Sequence, residues 1–216
     1  MIAQLRQTQA SSESAEHIVL YDVSWEAYEA ILEAMGDRRL RHSYDRGVLE
    51  IMSPLKRHDR IKKLIARMLE AMALELDIDI QSIGSTTLRA RPKQKGLEPD
   101  ECYYVAHESQ VRGKLDYDPE RDPPPDLALE VDVTNPSVSR MPIFAGLGIP
   151  EVWRLEGETL TFLRLTREGK YVKMPRSKAF PLLTPAVVER FLAEQFELPE
   201  NEIIRNFLAW VRKAAK

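Results

Sequence analysis

A ten-residue stretch, PDLALEVDVT at residues 125–134, constrains the fold of this chain more than any other feature. Its apolar residues form a nearly continuous run, which predicts a buried β-strand. Glu130 and Asp132 interrupt that run, and residues two apart in a strand project to the same side. Burying neighbouring carboxylates is costly unless a cation or several hydrogen-bond donors compensate them. The alternative is that both acids lie on the solvated face of an edge strand.

A third carboxylate, Asp100, follows a proline and opens the short predicted strand DECYYVA. Three oxygen ligands of this kind suit Mg²⁺ or Mn²⁺, which keep some bound waters and accept substrate phosphate. Such an ion lowers the pKa of a bound water and neutralises charge that develops on a phosphate. The acids therefore favour metal-assisted phosphodiester hydrolysis, while the edge-strand alternative stays open.

The bulk properties of the chain limit its domain organisation and class. Its 216 residues suffice for one core, so we expect one domain over residues 21–216, with C-terminal helices at about 184–213. The polar residues 1–20 predict a disordered lead-in without a signal peptide. No apolar run approaches the roughly 20 residues of a membrane helix, so we expect no membrane insertion and a cytoplasmic location. Cys102 is the only cysteine, which excludes an intrachain disulfide and a cysteine zinc site.

The net charge of −3 argues against a protein that coats nucleic acid through overall positive charge. A basic stretch, KRHDRIKKLIAR at residues 56–67, lies on a long amphipathic pattern that predicts a helix. Arg60, Lys63 and Arg67 share one face of that helix. This face is either solvated or turned toward phosphate groups, and the sequence leaves both interpretations open.

Local signals predict an order of helices and strands typical of an α/β fold. Ser24 and Thr184 are predicted helix N-caps, and Gly36 and Gly148 are predicted helix stops. Asp45-Arg46-Gly47 and Glu156-Gly157-Glu158 are predicted hairpin turns. The remaining predictions are a strand at 78–90, a loop at 91–99, a long connection at 107–126, an edge strand near 169–172 and a last amphipathic helix through Val211.

Four strings and one histidine carry a family resemblance: GVLEIMSP at 47–54, EPDECYYV at 98–105, PDLALEVDVTNPS at 125–137, FAGLGIPEVWRL at 144–155, and His58. Their order and spacing resemble the Uma-type restriction endonuclease family of the PD-(D/E)XK superfamily, from about Tyr21 to Leu165. The resemblance implies a restriction-endonuclease-like α/β core, with a mixed central sheet flanked by helices. It also implies Mg²⁺- or Mn²⁺-dependent DNA endonuclease activity, with DNA as partner, and a homodimer.

The resemblance assigns the two metal-binding acids to Asp100 and Glu130. The family's lysine would fall at position 132, but this chain has Asp132 there. Some relatives carry the lysine on the following helix instead, and the matching position is Arg140, four before Phe144. Arginine can hold a phosphate but cannot act as a general base. Asp132 would then add a metal ligand, so that water activation depends on the ion.

Three further residues have more than one interpretation. Glu50 is either an additional acid of the site or a residue of the hairpin alone. His58 either reaches a phosphate or orients Glu50, or it is a cap or surface histidine. Asp126 makes turn hydrogen bonds or binds the ion. The alternative function is a catalytically impaired nuclease-fold module with a nucleic-acid-binding or structural role.

Overall fold

The computed structural model describes residues 17–36, 38, 40–53, 56–118, 121–132 and 138–216, and only the backbone at 56–58. Within these ranges the helices are α1 (Trp25–Met35), α2 (Lys56–Glu75), α3 (Glu108–Val111), α4 (Met141–Leu147), α5 (Pro185–Ala193) and α6 (Glu200–Ala214). The strands are β1 (His17–Leu20), β2 (Arg41–Asp45), β3 (Val48–Met52), β4 (Gln81–Ser82), β5 (Leu88–Ala90), β6 (Lys95–Leu97), β7 (Glu101–Tyr104), β8 (Leu127–Asp132), β9 (Glu151–Glu156), β10 (Thr159–Leu165) and β11 (Tyr171–Met174).

The strands form two sheets. The first sheet has the order β1-β3-β2-β6-β5, and the second has the order β11-β10-β9-β8-β7-β4. Among the described strands, β8 and β9 pair in parallel and every other pair is antiparallel. Helix α4 makes the crossover that a parallel pair requires. Because β8 lies between β7 and β9, the interpretation of its acids as edge-strand residues is wrong.

Strand β8 divides its side chains between two cores. Leu127, Leu129 and Val131 pack on the face that α2, α5 and α6 cover. Ala128 packs on the opposite face with Ile143 of α4, in a cluster that also contains residues of the first sheet. Helix α4 thus lies between the two sheets, and α1 covers the first sheet through its own aromatic cluster.

Glycine at position 146 allows α4 to approach the first sheet closely. A Cβ atom at Gly146 would lie 2.1 Å from Cδ of Lys95 on β6, and real Cβ atoms do not come that near. The Nζ atom of Lys95 then donates to Asp45 at 2.7 Å. This packing fixes the C-terminal end of α4 against the sheet that carries Arg41 and Glu50.

Many local predictions are confirmed. Ser24 accepts from the backbone N of Ala27 at 3.2 Å, and Thr184 accepts from Val187 at 3.4 Å, so both cap their helices. Gly148 ends α4 with φ of 85°. Both hairpins form around the predicted turns. None of the described helices combines the length and apolar character needed to span a membrane.

Three predictions differ from the structure. Residues 78–90 are not one strand, because Gly84 at φ of 60° separates β4 in the second sheet from β5 in the first. The predicted loop at 91–99 contains β6, which has three residues and pairs on both sides. His17–Leu20 pair with β3, so a strand begins before the predicted boundary at residue 20; residues 1–16 lie outside the described residues.

A buried carboxylate ties β9 to the segment after β11. Glu151 is 2% exposed and accepts four hydrogen bonds. Its Oε1 accepts from Trp153 Nε1 at 2.6 Å and Ser177 Oγ at 2.7 Å. Its Oε2 accepts from the backbone N of Lys178 at 2.9 Å and of Ala179 at 3.0 Å. The donors satisfy the charge fully, so Glu151 is a structural acid rather than a site residue.

Candidate functional site

Asp100 lies where β7 begins, and it is 1% exposed. Its Oδ2 accepts from the backbone N of Val131 at 2.6 Å, while its backbone N donates to Leu129 O at 3.2 Å. Its Oδ1 forms an ion pair with Arg41 of β2. The carboxylate therefore joins β8 of the second sheet to β2 of the first.

Glu130 lies on β8 between Leu129 and Val131, whose backbone groups bond to Asp100, and it is 2% exposed. Arg140, which precedes α4, places its Nε 2.9 Å from Glu130 Oε1 as an ion pair. Arg140 also donates from Nη2 to the carbonyl oxygen of Glu98 at 2.5 Å. Among the described residues, Oε2 of Glu130 and Nε of Arg140 have no hydrogen-bond partner. One buried carboxylate oxygen is thus available for a ligand.

The charge on Glu130 is disfavoured by its surroundings. Burial raises the pKa of Glu130 to about 8, and the negative charges of Asp100 and Asp132 act in the same direction. The positive charges of Arg140 and Arg41 lower this pKa but do not offset the burial. A further cation near the free oxygen would favour the ionised form.

Asp132 is placed on the same side of β8 but has a different partner. Arg154 of β9 donates from Nε to Asp132 Oδ2 at 2.7 Å, and its Nη2 lies 3.0 Å from Glu156. In the parallel register Arg154 stands opposite Glu130. Asp132 is therefore held by an arginine at the rim of the site.

Glu50 is fully buried on β3 and accepts from the backbone N of Val138 at 3.1 Å. Its register partner is Ser43, two residues after Arg41 on β2. The structure thus brings Glu50 to the segment that leads into Arg140. The side chain of His58 lies outside the described residues, although its backbone belongs to the first turn of α2.

Asp126 makes the turn contacts that the sequence predicts. Its Oδ2 accepts from the backbone N of Val105 at 2.8 Å and of His107 at 2.9 Å. Its Oδ1 lies 2.6 Å from Nδ1 of His107. These contacts hold the end of the long connection before β8 enters the sheet.

Asp100 and Glu130 fit a hard divalent ion through their chemistry and through the free oxygen of Glu130. Mg²⁺ is usually bound by one or two carboxylates and completes its shell with waters and substrate phosphates. No group of three or more metal-binding side chains is gathered around one point within the described residues. Asp100 and Glu130 are the two buried carboxylates that, with water, could form such a donor set, while Oδ2 of Asp132 is paired with Arg154.

His42 lies beneath this site and is 1% exposed. Its Nδ1 is 3.9 Å from Glu98 Oε2, and its ring tilts against Tyr28. Burial, together with the nearby positive charges of Arg140 and Arg89, lowers the pKa of His42 to about 3. The imidazole is thus neutral in the folded protein at every pH near neutrality.

This burial predicts a pH dependence of stability. An unfolded histidine titrates near 6.5, so below that pH the unfolded chain binds a proton that the folded chain does not. The stabilisation is complete above pH 6.5 and is lost as pH falls toward 3, by up to about 1.4 kcal/mol per pH unit. Urea unfolding should show a shallower loss in His42→Gln between pH 6.5 and 4.5. Equal slopes for the two proteins would contradict the assignment.

Sequence reasoning missed two arginines of the site, Arg41 and Arg154. Arg41 opens a short strand of alternating residues and carries no motif. Arg154 lies in an apolar hairpin strand. Its only signal in the sequence is that it interrupts the apolar residues Val152, Trp153 and Leu155. Both become site residues through strand pairing, which the sequence does not display.

A mixed sheet with α2, α5 and α6 on one face and α4 on the other, and with acids where β7 begins and on central strand β8, defines the restriction-endonuclease-like class of α/β proteins. A family model described as "Uma2: Putative restriction endonuclease" matches residues 25–200. The chain belongs to this family, which confirms the resemblance and the predicted fold class and supports a nuclease function.

A solved structure titled as a putative nuclease belonging to DUF820 from Anabaena variabilis ATCC 29413 shares 13% identity. The similarity covers 77% of this chain and 90% of that one, with a TM-score of 0.43. No curated protein matches the chain.

Proposed function

We propose that the protein is a metal-dependent endonuclease that hydrolyses phosphodiester bonds of DNA. The observation that carries the proposal is the unpartnered, buried oxygen of Glu130 beside Asp100 and Arg140, in a chain of a nuclease family. A buried acid with a free oxygen is costly unless a ligand completes it. Carboxylate oxygens are suitable ligands for Mg²⁺ or Mn²⁺, so such an ion would compensate this oxygen.

In this proposal Asp100 and Glu130 hold the ion. When bound, a divalent ion lowers the pKa of a water and neutralises the charge that develops on the scissile phosphate. The backbone N of Val131 orients Asp100 through its hydrogen bond to Oδ2, so one acid is fixed by the strand that carries the other. Asp132 adds negative charge near the site but keeps Arg154 as its partner.

Arg140 is the residue suited to hold the phosphate. Its Nη2 is anchored on the carbonyl oxygen of Glu98, and its Nε lies 2.9 Å from Oε1 of Glu130 in an ion pair. A guanidinium anchored in this way beside a metal-binding acid places its positive charge where the scissile phosphate would lie. Arginine keeps its proton, so it stabilises charge but does not accept a proton from water. Glu50, which contacts the segment before Arg140, is a positioning residue in this scheme.

Calorimetric titration of Mn²⁺ tests the proposal before a substrate is known. We expect wild type to bind Mn²⁺ and Glu130→Ala to lose at least about tenfold in affinity, since about 1.4 kcal/mol from a lost carboxylate ligand suffices for that. Asp132→Asn is the matched control on the same strand, and it should retain binding within about threefold because Arg154 already occupies its carboxylate. Equal affinities of wild type and Glu130→Ala would contradict the proposal.

A further inference from the structure

A cleft of about 540 Å³ opens beside the site, between α2 and the segment that enters β2. Its lining is strongly basic although the chain is acidic overall. Among the described residues it has six basic side chains against three acidic ones. The basic residues are Arg38, Arg41, Arg60, Lys62, Lys63 and Arg67.

Part of this basic wall serves the fold. Arg67 donates to Glu200 and to Asn201 of α6, each at 2.7 Å. Arg60 donates to the carbonyl oxygen of Gln195 at 3.3 Å. These contacts attach α2 to the C-terminal helices, so the face that holds Arg60 and Arg67 is neither simply solvated nor wholly available to phosphates.

Lys62 and Lys63 differ from these arginines. In the described part of the chain, neither ammonium forms an ion pair or a hydrogen bond with another residue. Lys62 is half-buried, and its charge acts on Glu98 and Glu101 near the site. Lysines that line a cleft without acidic partners attract anions, and a nucleic-acid backbone is a regularly spaced row of them.

Arg41 connects the cleft to the acids. It lines the cleft, it is 6% exposed, and its guanidinium forms the ion pair with Asp100. A guanidinium binds phosphate as readily as carboxylate, because its forked donors fit both groups. A phosphate in the cleft would therefore compete with Asp100 for Arg41.

We propose that this cleft binds the phosphodiester backbone of the nucleic acid, and that Arg41 turns from Asp100 to a phosphate as the strand enters. The turn removes the guanidinium of Arg41 from Oδ1 of Asp100, where it competes with the divalent ion, so that nucleic acid and metal bind cooperatively. The inference rests on the proposed function, because Asp100 is there a metal ligand. Each ligand favours the same arrangement of Arg41, which is the condition for positive coupling.

The first part of the proposal, binding of nucleic acid in the cleft, is tested without metal. Fluorescence anisotropy with a short labelled DNA duplex in EDTA should show binding weakened roughly tenfold in the double variant Lys62→Gln, Lys63→Gln, with the slope of log K against log salt shallower by about 2. Lys170→Gln, in the turn between β10 and β11, removes the same charge far along the second sheet and should change neither quantity. Unchanged binding in the double variant would overturn the cleft assignment.

The second part, cooperative binding of nucleic acid and metal through Arg41, is tested by titrating Mn²⁺ with and without a hydrolysis-resistant phosphorothioate duplex. In wild type the duplex should raise the Mn²⁺ affinity at least about fivefold, the lower end of usual couplings. Arg41→Gln should bind Mn²⁺ more tightly than wild type without DNA, and its gain from DNA should be smaller. Arg41→Lys keeps the positive charge and is the control for an effect of the substitution on folding. Equal gains in wild type and Arg41→Gln would overturn the role of Arg41.

The two titrations separate the inference from the proposed function. A wild type that binds no Mn²⁺ in either condition refutes Asp100 and Glu130 as metal ligands and, with them, the coupling through Arg41. The dependence of metal-free DNA binding on Lys62 and Lys63 decides the cleft independently of that result.

Discussion

Asp100→Asn should lower the rate of plasmid DNA cleavage in Mg²⁺ by about 10³-fold. A bound ion supplies several kcal/mol of transition-state stabilisation, and each 1.36 kcal/mol changes a rate tenfold. Asparagine keeps the shape of the side chain and can still accept the hydrogen bond from the backbone N of Val131. The substitution therefore removes the charge while it retains the acceptor. Initial rates of supercoiled-plasmid nicking measure the effect.

The matched control is Asp79→Asn, because Asp79 is 81% exposed and pairs with Arg112 away from the acids. This variant should cleave at the wild-type rate. Melting temperatures of both variants show whether Asp100→Asn is folded. Full activity in folded Asp100→Asn would refute the assignment of this acid. A wild type that cleaves no DNA with Mg²⁺ or Mn²⁺ would instead favour the nuclease-fold module without catalysis.

Glu151→Ala should lower the free energy of unfolding by at least about 3 kcal/mol, independently of any catalytic role. The substitution leaves four donors without their acceptor, two of them buried and two part-buried, and each buried unsatisfied donor costs about 1–3 kcal/mol. Urea unfolding monitored by circular dichroism measures the difference.

Glu151→Gln is the graded comparison. Its amide keeps one acceptor oxygen but turns an NH₂ group toward two donors, so an intermediate loss of about 1–2 kcal/mol is expected. Alanine at exposed Glu158, in the neighbouring turn, should change stability by less than about 0.5 kcal/mol. A Glu151→Ala protein as stable as wild type would show that the four contacts contribute nothing net.

The features predicted well from sequence are those with local causes. Apolar periodicity fixes α2, side-chain oxygens at Ser24 and Thr184 cap their helices, and turn residues set the hairpins. The alternation of β8 places Leu129 and Glu130 on opposite faces, as the structure has them. These signals depend on a few neighbouring residues and need no knowledge of tertiary packing.

The division into two sheets has no local signal. Strands β4, β5 and β6 have two or three residues each, too few for periodicity, and their pairing partners decide that they are strands. The same limit applies to the site. The resemblance places Asp100 and Glu130 together, whereas the arginines that compensate them come from strand register and from helix packing.

Asp100 joins parts of the chain that are far apart in sequence, since Arg41 lies 59 residues before it and Val131 lies 31 residues after it. Such contacts close large loops. They form late in folding, because the chain entropy lost on closing the loop comes before the stabilisation that the contacts give. The proposed metal-binding arrangement is therefore a property of the finished tertiary structure. A chain in which β2 and β8 have not yet docked would carry Asp100 without Arg41 and Val131 beside it.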